Sequence, residues 1–171
     1  MCFIVITLIF FLPLRLSMTD QKWMVQALKL AERSREDGEV PVGAVIVKDD
    51  QLIAEGWNQP IEKHDATAHA EIMAIRAAGK VHNNYRLPDT TLYVTLEPCT
   101  MCAGAMIHAR IKRVVFGAPD PRTGTAGSAI NLFTQDYHNH QIDIEGGVMR
   151  DGCGQILKDF FRARRKSLKN E

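Results

Sequence analysis

Two short segments about thirty residues apart, His69-Ala70-Glu71 and Pro98-Cys99-Thr100-Met101-Cys102, constrain this chain more than any other feature of its 171 residues. Read as helix starts, they set one imidazole, two thiols and a carboxylate at two helix N-termini, where free N–H groups and the helix dipole favour thiolates. Zinc takes nitrogen and sulfur ligands tetrahedrally, and three protein ligands leave one position for water. His69, Cys99 and Cys102 are accordingly candidate zinc ligands, which demands a fold that brings two helix tips together. The i, i+2 spacing of His69 and Glu71 puts them on nearly opposite sides of a regular helix. The metal must then lie off the helix tip, with both side chains reaching forward. There Glu71 need not ligate; it can hydrogen-bond the metal's water and move its proton. Two thiolates offset much of the metal charge, so a carboxylate base is more useful here than at a three-His site. The arrangement suits attack by hydroxide on an electron-poor ring carbon.

A C-x-x-C pair alone also serves structural zinc half-sites and thioredoxin-like redox sites. This chain has no second such pair, and its other cysteines, Cys2 and Cys153, are isolated. Four cysteines are too few for a disulfide scaffold, and the tight pair points to a reducing, cytoplasmic setting. The other histidines, His64, His82, His108, His138 and His140, have no ligand spacing. Gly124-Thr125-Ala126-Gly127 is no phosphate loop, since no Lys-Ser or Lys-Thr follows it.

Composition fits an ordinary globular domain, with 46% apolar and 24% charged residues. The net charge of +1 demands no polyanionic partner, so any such partner must be read from local charge. Residues 1–17 stand apart. Cys2 to Leu12 is apolar except for Thr7, which is too short a run for a membrane span of about 20 residues. It lacks the basic n-region and small-residue cleavage site of a secretory signal. Met18-Thr19-Asp20-Gln21-Lys22 reads as a polar helix start, so the expected organisation is an N-terminal extension at 1–17, with Met18 a candidate natural first residue, and one domain at 18–171.

Periodicity predicts a helix over Asp20 to Asp37 ending at Gly38, and strands at Val42 to Val47 and Leu52 to Trp57 joined as a hairpin. A loop follows from Asn58 to Thr67, then a helix from His69 to Ala78 ending at Gly79. Thr91 to Leu96 is a strand, Pro98 opens a helix through His108, and Arg113 to Gly117 is a strand. Ala118 to Ser128 is a loop, Ala129 to Phe133 a short helical turn, and Ile142 to Ile144 a last strand. A terminal helix lies within Met149 to Leu168. Alternating strands and helices argue for a three-layer α/β/α domain, without giving the strand order.

Through His69-Ala70-Glu71 and Pro98-Cys99-Thr100-Met101-Cys102 the chain resembles the zinc-dependent nucleobase deaminases. From about Trp23 to Arg165 it is similar, more narrowly, to the bacterial tRNA-specific adenosine deaminases. The matching stretches include Glu39-Val40-Pro41-Val42-Gly43-Ala44-Val45, Gly56-Trp57-Asn58, Thr95-Leu96-Glu97-Pro98-Cys99, Met101-Cys102-Ala103-Gly104-Ala105-Met106 and Phe160-Phe161-Arg162. The resemblance implies a cytidine-deaminase-like fold with a five-stranded mixed sheet, a homodimer, one zinc per subunit, and conversion of adenosine to inosine at the wobble position of a tRNA anticodon. Carried over by position, His69, Cys99 and Cys102 are the ligands, and Glu71 moves a proton from the attacking water to the ring nitrogen. Asn58 matches a pocket asparagine that contacts the nucleotide, and Asp120 a residue that contacts its ribose. On residue type alone they read as an Asn ending a strand and a solvated turn acid.

Zinc deaminases also act on free bases and nucleotides such as guanine, cytidine and deoxycytidylate, and a non-catalytic zinc subunit that only binds RNA is a further alternative. From Lys158 onward six basic residues, Lys158, Arg162, Arg164, Arg165, Lys166 and Lys169, face only Asp159 and Glu171. With Phe160 and Phe161 beside them, they suit phosphate and base contacts to an RNA such as the anticodon arm, and Phe160 and Arg162 are candidate substrate contacts. The same pattern also fits a solvated helix end with its Phe residues in the core.

Overall fold

The computed structural model describes residues 18–169, and the expected extension at 1–17 lies outside them. The first helix, α1 (Met18–Glu36), leads through Gly38, whose φ of +78° suits a helix end, into strands β1 (Gly43–Lys48) and β2 (Gln51–Trp57). Asp49 and Asp50 between them both have positive φ, 51° and 56°, the mirror-image turn that matches the twist of a two-residue hairpin. The chain continues through α2 (Pro60–Lys63), α3 (Ala70–His82), β3 (Thr91–Leu96), α4 (Thr100–His108), β4 (Arg113–Ala118), β5 (Asp143–Gly146) and α5 (Arg150–Ser167).

The strands form one five-stranded mixed sheet in the order β2-β1-β3-β4-β5. β1 runs antiparallel to β2 and β3, whereas β3, β4 and β5 are mutually parallel. Both faces are covered, which explains why β1 and β3 read as continuous apolar runs. Along β1, Val45 and Val47 enter the core under α1 and α5, together with Trp23, Met24, Leu30 and Cys153. Ala44 and Ile46 point the other way, to α3 and α4, with Ile72, Leu92 and Met106. At the start of β4, Arg113 reaches both Asp20 of α1 and Glu145 of β5, tying a helix to two strands.

This topology decides where a site can form. The parallel pair β3 and β4 ends in register at Leu96 and Ala118, so Pro98-Cys99 and Pro119-Asp120 emerge at one edge of the sheet. Antiparallel β1 begins at that same edge and β2 ends there, with Gly43 opposite Trp57. Glu39, Asn58, Cys99 and Asp120 are thereby carried to one place from four separate stretches of chain.

Several expectations are corrected. Asn58 to Thr67 is not all loop: Pro60 opens the short helix α2, whose Ile61 and Glu62 N–H groups donate to Glu39 Oε1 at 2.7 and 3.0 Å. α3 does not stop at Gly79 but runs to His82, and Asn83 in the left-handed region ends it. α4 starts at Thr100 rather than Pro98. Ala129 to Phe133 is not a helical turn; Ala126 and Asn131 form an isolated antiparallel bridge instead. The last strand is Asp143–Gly146, one residue later in its start than expected.

Candidate active site

His69 and Cys99 occupy equivalent positions. Each is the N-cap of its helix, α3 and α4, with extended backbone (φ −70°, ψ 154° and φ −81°, ψ 172°), and neither side chain caps its own helix. Both side chains are thus directed beyond the helix tip, which resolves the i, i+2 spacing of His69 and Glu71: only Glu71 is inside the helix. Cys102 sits one turn into α4 and is fully buried.

The three donor atoms lie within 4.8 Å of one another. His69 Nδ1 is 3.7 Å from Cys99 Sγ and 3.6 Å from Cys102 Sγ. Tetrahedral zinc, with bonds of about 2.3 Å to sulfur and about 2.0–2.1 Å to nitrogen, sets its donors about 3.6 Å apart, so these residues fit the ion. The hydrogen bond with Cys102, and then His69, lower the Cys99 thiol to about 4 against the effect of burial. The contact with Cys99 and burial push Cys102 up. A bound dication favours thiolate at both.

Glu71, only 4% exposed, stands in the first turn of α3 beside these donor side chains, and burial raises its pKa. That turn is seated by two contacts. A Cβ on Gly56 of β2 would lie 2.2 Å from the Ala70 carbonyl oxygen, so only glycine lets α3 approach this closely. Asn58 Oδ1 accepts the Ala70 N–H at 2.9 Å, while its Nδ2 donates to the Val40 carbonyl at 3.0 Å. Asn58 therefore braces the helix tip, with one amide hydrogen left for a ligand. His69, Glu71 and Cys99 face a cavity of about 300 Å³ walled by Glu39, Val40, Asn58, Leu96, Glu97 and Asp120. Cys102 lies behind it.

The model of the cytidine and deoxycytidylate deaminase zinc-binding region matches residues 17–118, a span that contains His69, Glu71, Cys99 and Cys102. The chain belongs to that deaminase family. Within it the sequence groups with the tRNA-specific adenosine deaminases: it is 52% identical to that of Haemophilus influenzae over 153 residues, covering 89% of this chain and 88% of the relative. It is 44% identical to that of Bacillus subtilis over 150 residues, covering 88% and 93%. A solved structure from studies of A-to-I editing by tRNA:A34 deaminases at the wobble position superposes with a TM-score of 0.77 at 44% identity, covering 80% of this chain and 99% of that one.

The remaining expected site residues of this deaminase fall into two groups. Asp120 stands on the rim, half-buried, where the cavity meets a larger groove of about 680 Å³. Its carboxylate closes a local turn, accepting the Arg122 N–H at 2.9 Å and the Thr123 hydroxyl at 2.6 Å. Arg162 lines the groove together with Arg122, Lys158, Phe161 and Arg165. Phe160 does not line it; its ring packs edge-on against Phe161, 5.4 Å away, and Phe161 supplies the aromatic surface. Of the other histidines, none in the described residues joins the metal cluster. Sequence reasoning assigned no role to Glu39 and Glu97, which are buried acids in the cavity wall. Their signal was present: each directly adjoins a run of otherwise apolar residues that must pack, where a buried carboxylate has to find donors.

Proposed function

We propose that this chain is a zinc-dependent hydrolase that converts adenosine to inosine at the wobble position of a tRNA anticodon. One observation carries the choice of a polynucleotide over a free base. The cavity that holds His69, Glu71 and Cys99 opens, past Val40, Leu96, Asp120 and Thr123, into a groove whose charged wall is Arg122, Lys158, Arg162 and Arg165. A small pocket beside a basic, aromatic-bearing groove suits one extruded base with its flanking backbone held outside.

His69 Nδ1, Cys99 and Cys102 would hold the zinc, which when bound would supply Lewis-acid activation of a water molecule. Glu71 is placed to take the proton from that water as it attacks C6 of adenine, and to deliver it to N1. The carboxylate so regenerated takes the second proton, from the hydroxyl now on C6, and hands it to the amine as the C6–N bond breaks and the C6 carbonyl forms, so adenosine and water become inosine and ammonia. Asn58 holds the helix tip that aims Glu71, and its free amide hydrogen faces the nucleotide. Asp120 faces the ribose from the rim, and Arg162 and Arg165 contact phosphates.

The test is turnover of an anticodon stem-loop beside free adenosine, guanine, cytidine and deoxycytidylate. Inosine should form on the stem-loop alone; comparable turnover of a free base would favour a nucleotide or base deaminase. Replacing Arg162 and Arg165 with Gln should weaken stem-loop binding and flatten its salt dependence, each lost phosphate contact removing roughly 0.7 from the slope. A lowered melting temperature with an unchanged slope would assign these side chains to packing.

The reading includes a homodimer and a cytoplasmic setting. The compartment rests on the tight Cys99-Thr100-Met101-Cys102 pair, which suits a reducing setting; among the described residues no helix is long and apolar enough to cross a membrane. Light scattering of the purified protein measures the assembly. The reading also takes the domain proper to run from Met18, whose side chain is 88% exposed. A chain beginning there should match the full one in melting temperature, zinc content and turnover; an insoluble product would make residues 1–17 part of the fold.

A further inference from the structure

We infer that Glu97 is a positioning residue that sets the substrate-facing wall of the pocket in register with the ligand-bearing turn. This rests on the deaminase reading above. Glu97 follows β3 directly, is 2% exposed, and precedes Pro98-Cys99. Its carboxylate gathers three backbone N–H groups from the opposite loop: Oε2 accepts Asp120 N–H at 3.0 Å, and Oε1 accepts those of Ala126 and Ser128 at 2.8 and 3.1 Å. Its own N–H donates to the Ala118 carbonyl at 2.8 Å. Thr125 completes the clasp, donating from both backbone and hydroxyl to the Pro98 carbonyl at 3.0 and 2.9 Å. Residues 118–128 are therefore wrapped around one side chain.

The packing leaves no slack. A Cβ on buried Gly124 would stand 2.5 Å from Glu97 Oε2 and 2.5 Å from the Asp120 carbonyl oxygen, so the loop closes on the carboxylate only because residue 124 is glycine. The three donor side chains and Glu71 have supports of their own: His69 and Cys99 are the N-caps of α3 and α4, the Cys99 carbonyl accepting the Ala103 N–H at 2.9 Å, Cys102 lies within α4, and Glu71 is seated by Gly56 and Asn58. Glu97 thus acts on the half of the site that holds Asp120 and Thr123, which wall both cavity and groove. Its loss should alter how the substrate is held far more than how it reacts.

Glu97→Gln keeps the shape but replaces one acceptor oxygen with an N–H₂ group, which must face a backbone N–H on one side or the other. Losing a hydrogen bond to a charged acceptor is costly in a buried place. The expected result is a rise of about tenfold in KM for the stem-loop, a kcat within about threefold of the parent, and unchanged zinc content. Amide exchange at Asp120, or at Ala126 and Ser128, should accelerate. Gly124→Ala should reproduce the KM rise, and judges the idea should the Gln variant not fold. Asp120→Ala should raise KM by itself, and adding Glu97→Gln should raise it little further, since the two act as one unit.

A lower melting temperature with KM unmoved would reduce Glu97 to a structural residue, and independent, multiplying effects in the double variant would remove Asp120 as its intermediary. Unaltered amide exchange would overturn the clasp itself. Absence of stem-loop turnover by the parent protein is a separate failure, that of the functional reading, and the exchange measurement still judges the clasp.

Discussion

Replacing Glu71 with Ala is expected to abolish deamination while leaving about one zinc bound per chain. The donor set is complete without it: three atoms lie within 4.8 Å of one another, and Glu71 is not among them. Positioned acid–base groups contribute about 10²- to 10⁴-fold each, and here one carboxyl serves water, ring nitrogen and leaving amine in turn, so a loss of about 10⁴-fold is expected. Glu71→Gln makes the test sharper. It fills the same buried space, so it opens no cavity, yet its amide cannot carry a proton through the cycle. The two variants should therefore be equally inactive, and Gln should melt close to the parent. Rates come from inosine formation on the stem-loop and metal content from elemental analysis. Zinc loss in either variant would make Glu71 a ligand and sink the shuttle.

The layers of the fold were legible because burial on both sheet faces leaves a plain mark. Val45, Ile46 and Val47 in β1 and Leu92 to Val94 in β3 are buried on either side, and such runs flanked by helical periodicity mean helices above and below. What escaped were features decided by partners distant in sequence. Nothing local in Pro60-Ile61-Glu62-Lys63 demands a helical turn; Glu39, more than twenty residues earlier, accepts its first N–H groups. Gly79 suggested a helix end, yet a glycine inside a helix costs only about 1 kcal/mol relative to Ala. Packing of Ile75 and Ala78 on the core holds the helix through it, and Asn83 takes the left-handed cap. The bridge at Ala126 and Asn131 likewise follows from the Glu97 clasp, which draws Ala126 and Ser128 inward.

The site divides in the same way. The meeting of His69, Cys99 and Cys102, with Glu71 next to them, was legible because both segments read as helix starts and their spacing limits how they can meet. Asn58 entered the pocket only through the resemblance, and Glu39 and Glu97 carried no assigned role, since the work of all three is to satisfy backbone groups of other segments. Asn58 shows the difference well: by type it is an Asn ending a strand, and by contact it joins Val40 to Ala70 and so aims Glu71. Residue type tells what a side chain can do; only the topology tells which backbone it meets.

Removing the zinc, or replacing Cys102 with Ser, is expected to remove activity and to destabilise the domain together. Cys102 is fully buried and its Sγ lies 3.6 Å from His69 Nδ1, so without a cation ionisable groups are packed into the interior with only one another as partners. Metal that binds the folded chain and not the unfolded one adds stability by mass action, about 4 kcal/mol at a thousandfold excess over its dissociation constant. For a domain of this size that corresponds to about 10 °C in melting temperature. The pH dependence has a definite sign. Binding requires neutral imidazole and thiolates, whereas in the free site the hydrogen bond with Cys99 raises His69, and the Cys99 contact with burial raises Cys102. The free protein therefore holds protons that the loaded one has released, and the loaded form gains as pH rises. The gap between melting temperatures with and without chelator should widen from pH 5 to pH 8 and close at the acid end. Glu71→Gln should keep that gap and lose only turnover, whereas Cys102→Ser should lose both. A gap that survives Cys102→Ser unchanged would place the bound metal elsewhere in the chain and leave the cluster of His69, Cys99 and Cys102 without its assigned role.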